Sequence, residues 1–328
     1  MKGPVAESAL PLVSVVMPAY NHERFVEEAV RSVWEQTYPN VELVVLDDGS
    51  RDGTPEILRR LQAASPIPMQ VVCKANEGVT RTLNRGLALA RGEYVALSSG
   101  DDRHLPHHVA TLVAAALEEE PGTVVHGDVC MIDGSGARTG HRLSDDYPFR
   151  SGSVYEDLLL QTSTLPGLAA LVPAAVFAEV GGYNEASLLD DWEMFLKITR
   201  RHRVRYVPEV LAEYRASGGG QLTRQVARLL PDRLRIFEEN VREYPPARDA
   251  RWLREARGRL YGQVAEGFYI VRDFGEARRW LLRSLAQWPL QPRAAKLLAR
   301  SLLGARLVSR LSTLRSRRAR GSVPELNP

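Results

Sequence analysis

Thiols, long apolar runs and, in one region, acidic side chains are what this chain lacks. Its 328 residues hold two cysteines, Cys73 and Cys130, and neither a Cys-x-x-Cys nor a His-Glu-x-x-His spacing appears. No disulfide framework can form from such a set, and a reducing compartment is expected. No run reaches the roughly 18 apolar residues of a membrane span. The run Leu10–Met17 is broken by Pro11 and Ser14 and is too short for a signal peptide. A soluble or peripheral protein is therefore expected. No Gly-x-Gly-x-x-Gly follows the first apolar run, which disfavours a dehydrogenase. From Arg278 to Val323 there are 12 Arg or Lys and no Asp or Glu, which leaves 31 basic against 40 acidic residues, a net −9, elsewhere. An acidic body with a basic tail is not the profile of a nucleic-acid-binding protein.

The first half alternates short apolar runs with amphipathic stretches, the pattern of an α/β protein with a mostly parallel sheet. Strands are expected at Val13–Met17, Val41–Leu46, Met69–Cys73, Tyr94–Leu97, Val124–His126, Ala169–Val172 and Arg205–Pro208. Helices fall between them, including Pro106–Glu119 and Asp191–Arg200, and Gly92 reads as a helix stop. Asp133-Gly134-Ser135-Gly136 is hairpin-tip chemistry, and 141–165 reads as an irregular loop. Two loops end buried strands: Pro18-Ala19-Tyr20-Asn21 and Asp47-Asp48-Gly49-Ser50. Open α/β sheets bind ligands at that edge. A ring (Tyr20) and a carboxylate pair on neighbouring strands can hold a nucleobase, by stacking and by accepting base N–H groups. Ser98-Ser99-Gly100-Asp101-Asp102 also follows a strand. Its adjacent carboxylates read either as a solvated turn or as hard oxygen ligands for Mg²⁺ or Mn²⁺.

Read in order, these stretches resemble a family 2 glycosyltransferase of the GT-A fold. The resemblance is carried by Val13–Asn21, by Ser32-Val33-Trp34-Glu35-Gln36-Thr37-Tyr38-Pro39 and by Val44–Thr54. It continues through Asn76-Glu77-Gly78, Asn84-Arg85-Gly86, Ala90–Val95 and Gly100-Asp101-Asp102, then Val180-Gly181-Gly182-Tyr183-Asn184-Glu185 and Asp190-Asp191-Trp192-Glu193. It spans about residues 12–216. The resemblance implies that Tyr20 and Asp48, beside the Pro18 and Ala19 backbone, hold the base of a nucleotide-sugar. Asn76, Gly78, Gly100 and Asp101 fall on the same donor side. Asp101 and Asp102 match the acidic metal motif, so Mg²⁺ or Mn²⁺ is the implied cofactor. Asp191 matches the catalytic base, which would take the proton of an acceptor hydroxyl as it attacks the anomeric carbon. Direct displacement then inverts that centre.

Three positions depart from the family pattern. Ser99 stands at the first acidic position of the metal motif, Asp190 at the Glu before the base, and Ser217 where relatives place a histidine after Tyr214-Arg215. His126, Asp128, Asp190 and Trp192 are candidate sugar or acceptor contacts; for His126, Asp128 and Trp192 the alternative is packing. His104, His107 and His108 read as a solvated helix start. The expected organisation is a tail (1–11), a catalytic domain (12–217), a helical extension with one tetratricopeptide-like hairpin (218–292), and a basic amphipathic helix and tail (293–328). The last can lie on an anionic membrane surface through Arg293–Arg320, or pack on the protein. The donor expected is UDP-linked, with GDP and dTDP as alternatives, and the acceptor a glycan or lipid-linked hydroxyl in cell-envelope polysaccharide synthesis. The protein would work in the cytoplasm, peripherally on the inner face of the membrane. A non-catalytic nucleotide-sugar-binding scaffold and a nucleotidyltransferase are the competing readings.

Overall fold

The computed structural model describes residues 10–188, 190–216, 221–244 and 249–302, with the side chains of 221–228 and 230 outside that description. Ser217, Gly218, Gly219, Gly220 and the basic residues from Arg306 onward lie outside the described residues. The chain divides into two compact units, Met1–Gly218 and Gly219–Pro328.

The first unit starts with alternating strands and helices: β1 (Val13–Ala19), α1 (Val26–Trp34), β2 (Val41–Asp47), α2 (Thr54–Ala63), β3 (Met69–Cys73), α3 (Val79–Leu89) and β4 (Tyr94–Leu97). A two-residue β5 (Arg103–His104), α4 (His108–Leu117), β6 (Val124–Ile132) and β7 (Arg138–Arg142) follow. Then come α5 (Leu143–Asp146), α6 (Tyr155–Leu159), β8 (Ala170–Pro173), α7 (Ala174–Val180), α8 (Asp190–Thr199) and β9 (Val204–Arg215). The strands form one sheet in the order β3-β2-β1-β4-β8-β6-β9-β5, with β7 paired to β6. The β3-β2-β1-β4 half is parallel, and β8 joins it antiparallel.

β1 and β2 are buried along almost their whole length because helices cover both faces. Val, Leu and Met fill them, which suits a pleated surface packed on both sides. Ser14 and Glu42 are polar exceptions. The Ser14 hydroxyl donates to Glu42 Oε1 at 2.6 Å, and the Arg91 backbone N–H and Nε donate to the same carboxylate at 2.8 Å. A buried carboxylate needs such donors to offset its desolvation. Gly92 lies here for a reason other than ending a helix. A Cβ at Gly92 would meet Ser14 N at 2.6 Å and Leu12 O and Tyr94 O at 2.7 Å, all backbone atoms. Gly92→Ala is expected to lower unfolding free energy by about 1–3 kcal/mol, read as an earlier denaturation midpoint. A wild-type midpoint would overturn this close-approach account.

Several expectations are revised. The strand expected at Val124–His126 runs on to Ile132, and the one expected at Arg205–Pro208 spans Val204–Arg215. The 141–165 region carries two short helices. His104 and His108 are buried rather than solvated, their rings stacked at 3.9 Å and 8°. Burial pushes the His104 pKa down to about 4, so that ring stays neutral.

In the second unit α9 (Gln221–Glu243), α10 (Ala250–Ile270), α11 (Phe274–Gln287) and α12 (Pro292–Leu302) follow one another. Asp273 caps α11 by accepting the Glu276 N–H at 3.0 Å. α10 and α11 pack closely: the Ser284 hydroxyl donates to the Gly258 carbonyl at 2.7 Å, and Tyr261 meets Trp280 edge-on at 5.4 Å. Ala265, Leu281 and Ala294 form the apolar centre of the three helices.

Candidate active site

The carboxyl ends of β1, β2 and β4 open on one edge of the sheet. The Ala19↔Asp47 register sets the first two loops side by side, and the Asp48 N–H donates to Ala19 O at 2.9 Å. Asn21 ties them further: its side-chain oxygen accepts the Arg51 N–H at 2.9 Å. Tyr20 projects from this edge and is 42% exposed. Asp47 turns into its own loop, where it accepts the Ser50 N–H at 3.2 Å. Asp48 turns the other way, toward the start of α3. Its Oδ1 accepts from Lys74 Nζ and from the Glu77 N–H at 2.9 Å, and its Oδ2 accepts the Gly78 N–H at 2.9 Å. Asn76 Nδ2 donates to the Asp48 carbonyl at 2.8 Å. Gly78 sits at φ 91, a left-handed conformation that favours glycine, and so aims its N–H at the carboxylate. Burial pushes the Asp48 carboxyl up, but Lys74 and the Glu77 and Gly78 N–H groups more than offset it and hold the acid below its ordinary range.

The acidic motif follows β4. The Gly100 N–H donates to Pro18 O at 3.1 Å, which draws this loop against β1. A Cβ at Gly100 would lie 2.5 Å from His22 Nδ1. The Asp101 carboxylate accepts from the Ser99 hydroxyl and lies 3.9 Å from His22 Nε2. Asp102 is only 4% exposed, and its Oδ1 accepts the Arg215 N–H at 2.8 Å. Burial, and then the charge of Asp101, push the Asp102 carboxyl up to about 7. A buried carboxylate whose proton affinity is raised by a neighbouring charge is a setting a cation relieves. Among the described residues no group of three or more His, Cys, Asp and Glu could hold a metal. To hold a Mg²⁺ or Mn²⁺ ion the pair would need diphosphate oxygens and water to complete the shell, the usual arrangement for Mg²⁺.

Arg215 ends β9 and braces this motif. Its Nε donates to Asp101 O at 2.8 Å, Nη1 to Asp133 O at 3.1 Å and Nη2 to Glu28 at 2.7 Å, while its guanidinium lies 4.4 Å from the Phe25 ring centre. Tyr214, one residue earlier, points to the other face of the strand and is 45% exposed. Burial raises its phenol pKa, and the charges of Asp102, Asp101 and Asp191 add to the rise. The ring is therefore within electrostatic reach of both the acidic motif and Asp191.

Asp191 lies at the start of α8, where carboxylates suit the helix dipole. A Cβ at Gly167 would sit 3.0 Å from Asp191 Oδ2, so the absence of a side chain there makes room for the carboxylate. The residue is exposed overall, while its carboxylate lies against Gly167. Desolvation there, with the Asp190 charge second, pushes its carboxyl up to about 7. Asp190 is half-buried, and burial raises it as well.

The edge thus gathers Pro18, Ala19, Tyr20, Asp48, Asn76, Gly78, Gly100, Asp101 and Asp102, and Asp191 lies within electrostatic reach of Tyr214. His126, Asp128 and Trp192 make the packing contacts that were the alternative reading for them. His126 is 1% exposed, stacked on Tyr206 at 5.2 Å and met edge-on by Phe149 at 5.1 Å. Asp128 is buried and accepts the Ser144 hydroxyl at 2.6 Å, and so holds α5 against β6. Trp192 Nε1 donates to Leu158 O at 2.8 Å, tying α8 to α6. Sequence reasoning missed Lys74, Tyr214, Arg215 and His22. For Lys74 a signal existed: it directly follows β3, whose Cys73 pairs with Asp47, so it emerges at the same edge.

Glycosyl transferase family 2 matches residues 14–168. A Rickettsia felis protein described as a glycosyltransferase is 30% identical over 214 residues, covering 62% of this chain and 34% of its own length. A Nostoc protein described likewise is 32% identical over 140 residues, 41% of this chain and 43% of that one. The chain thus spans less than half the length of both relatives. Among solved structures, a mannosyltransferase from Pyrobaculum calidifontis in complex with GDP-Man and Mn²⁺ aligns at a TM-score of 0.57 and 22% identity, over 90% of this chain and 81% of that one. S. aureus TarS 1–349 in complex with UDP-GlcNAc aligns at 0.53 and 15% identity, over 84% and 89%. These two likenesses are of fold, the GT-A arrangement of a mixed sheet between helices.

Proposed function

From a chain whose residues 14–168 form a family 2 glycosyltransferase domain on a GT-A fold, we propose an enzyme that moves one sugar from a nucleoside-diphosphate sugar to an acceptor hydroxyl, with inversion. The observation that carries this reading is that Asp191, whose carboxylate Gly167 makes room for, and the Asp101-Asp102 motif both act electrostatically on Tyr214. An acceptor hydroxyl gives its proton to Asp191 as its oxygen bonds to the anomeric carbon. The bond from that carbon to the diphosphate oxygen breaks, and the nucleoside diphosphate leaves with the electron pair. A base with a pKa near 7 is better matched to a hydroxyl proton than an ordinary aspartate. Asp101 and Asp102 would hold Mg²⁺ or Mn²⁺, which as a Lewis acid stabilises the charge on the departing diphosphate. Tyr20 stacks on the base, Asp48 accepts from it, and Asp190 tunes Asp191.

The acceptor we infer is a glycan or lipid-linked hydroxyl used in cell-envelope polysaccharide synthesis, reached from the cytoplasmic face. Support comes from the 12 Arg or Lys and no Asp or Glu between Arg278 and Val323, a composition drawn to anionic lipid. No helix among the described residues is long and apolar enough to cross a membrane.

The test is a thermal-shift panel of UDP, GDP and dTDP on the full chain, each with Mn²⁺, Mg²⁺ or EDTA. One nucleotide is expected to raise the midpoint only with metal, by the equivalent of about 2.7 kcal/mol at a hundredfold excess over Kd. An unmoved midpoint with every nucleotide and metal would overturn the donor reading.

A further inference from the structure

We propose that a groove between α10 and α12 seats the phosphate of an anionic phospholipid and so docks the second unit on a bilayer; the proposal rests on the reading that the acceptor is reached at a membrane. The groove holds about 360 Å³, within the range of ligand pockets. One wall is apolar. Tyr269 and Ile270 supply it from α10, and Leu297 from α12. Leu297 packs on the Ala265–Leu281–Ala294 centre, and the Tyr269 ring meets Phe274 edge-on at 5.2 Å, so this wall is fixed. The other wall is cationic. Arg293, Lys296 and Arg300 line it from α12, and their spacings of three and four put them on one helix face.

The charges there are not balanced. α12 has no Asp or Glu, and the one acid lining the groove, Glu266, is taken by Arg293 Nε at 2.6 Å. Among the described residues Lys296 and Arg300 have no ion-pair partner, although Arg300 is half-buried. Like charges this close on a helix repel. The helix dipole favours Arg300, in the last turn of α12, but not Lys296. An anion in the groove relieves both. The chain after Leu302 cannot supply it, because it carries six Arg and no Asp or Glu up to Val323. Inorganic phosphate would leave the apolar wall unfilled. A short acidic peptide would answer the groove but not the six cations that follow it in the chain. A lipid phosphate with its chains matches both walls, and the anionic plane around it answers the rest. α10 and α12 also end on exposed apolar residues, Ile270 at 59% and Leu302 at 66%, which a bilayer removes from water.

Calorimetry of the full chain with dihexanoylphosphatidylglycerol below its micelle concentration tests this, with dihexanoylphosphatidylcholine, inorganic phosphate and hexaglutamate as comparisons. The phosphatidylglycerol is expected to bind one per chain, about tenfold or more tightly than any of the three. Lys296→Gln/Arg300→Gln should lose about 30-fold in affinity, and Ile270→Ser about fivefold. Lys296→Gln alone, at an exposed position, carries the test with about a fivefold loss if the double variant does not fold. Arg317→Gln/Arg318→Gln removes the same charge outside the groove and should keep wild-type affinity for the monomeric lipid. Equal or tighter binding of phosphatidylcholine, phosphate or hexaglutamate would overturn the proposal. So would equal losses in the groove and tail variants, or wild-type affinity in a folded groove variant. Nucleotide binding with Mn²⁺, measured on the same variants, should stay unchanged. Lipid binding without nucleotide binding would leave the groove standing and sink the donor reading; nucleotide binding without lipid binding would sink the groove alone.

Discussion

Asp191→Asn is expected to lower turnover by about 10²–10⁴-fold while nucleoside diphosphate affinity stays at the wild-type value. The amide preserves shape but accepts no proton. The wild type should show the same group in its pH dependence. The Asp191 carboxyl is pushed up to about 7, and only its ionised form is a base. Activity therefore falls as pH drops through about 7 and levels off above it. Asp190→Asn sharpens the assignment. The Asp190 charge is the second cause of the raised Asp191 pKa, so removing it should move the limb of kcat/KM to lower pH with the plateau retained. Normal turnover in Asp191→Asn, or a limb that Asp190→Asn leaves in place, would refute Asp191 as the base.

Arg215→Ala should cost about 3 kcal/mol of stability, the low end for breaking a buried ion pair. The low end applies because the Glu28 side chain left behind is half-open to water, whereas Arg215 is buried. The Asp101 and Asp133 carbonyls also lose their donors. The Arg215 backbone N–H still reaches Asp102, so the fold persists while Asp101 is less firmly held, and Mn²⁺-dependent nucleotide binding should weaken along with the midpoint. Arg215→Lys keeps the charge but not the planar fork, and should recover only part of both. Denaturant titration and calorimetry together decide it; wild-type values in Arg215→Ala would contradict the bracing role.

What could be read in advance followed simple periodicity. β1, β2 and β4 announce themselves because burial on two faces demands unbroken apolar runs, and their loops carry Tyr20, Asp48, Asp101 and Asp102. The far half of the sheet was harder. β9 hid its second half because Glu213 and Arg215, both charged, are buried in it. Their partners Arg103 and Glu28 come from distant parts of the chain, and one-dimensional patterning cannot count such partners. His104 and His108 misled for the same reason: polar side chains at a helix start are expected in water, and only the face-to-face stack, with the bonds from the rings to the Leu97 and Leu211 carbonyls, accounts for two in the core. His126 was equally ambiguous until Tyr206 and Phe149 closed over it. Lys74 is one ammonium among 43 basic residues, and nothing but strand register singles it out.

The bond between Asp102 and the Arg215 N–H joins residues 113 positions apart, and this has a consequence for how the protein is made. β1 to β4 are linked by short crossovers and can pair while the ribosome is still working. The acidic motif has emerged by then, but the strand that pins it has not. Long-range pairings form late because the loop must close before the contact is gained. During synthesis the chain therefore passes through a stage with its first two loops already paired but an unpinned acidic loop, and the acidic motif takes its final form only when β9 docks.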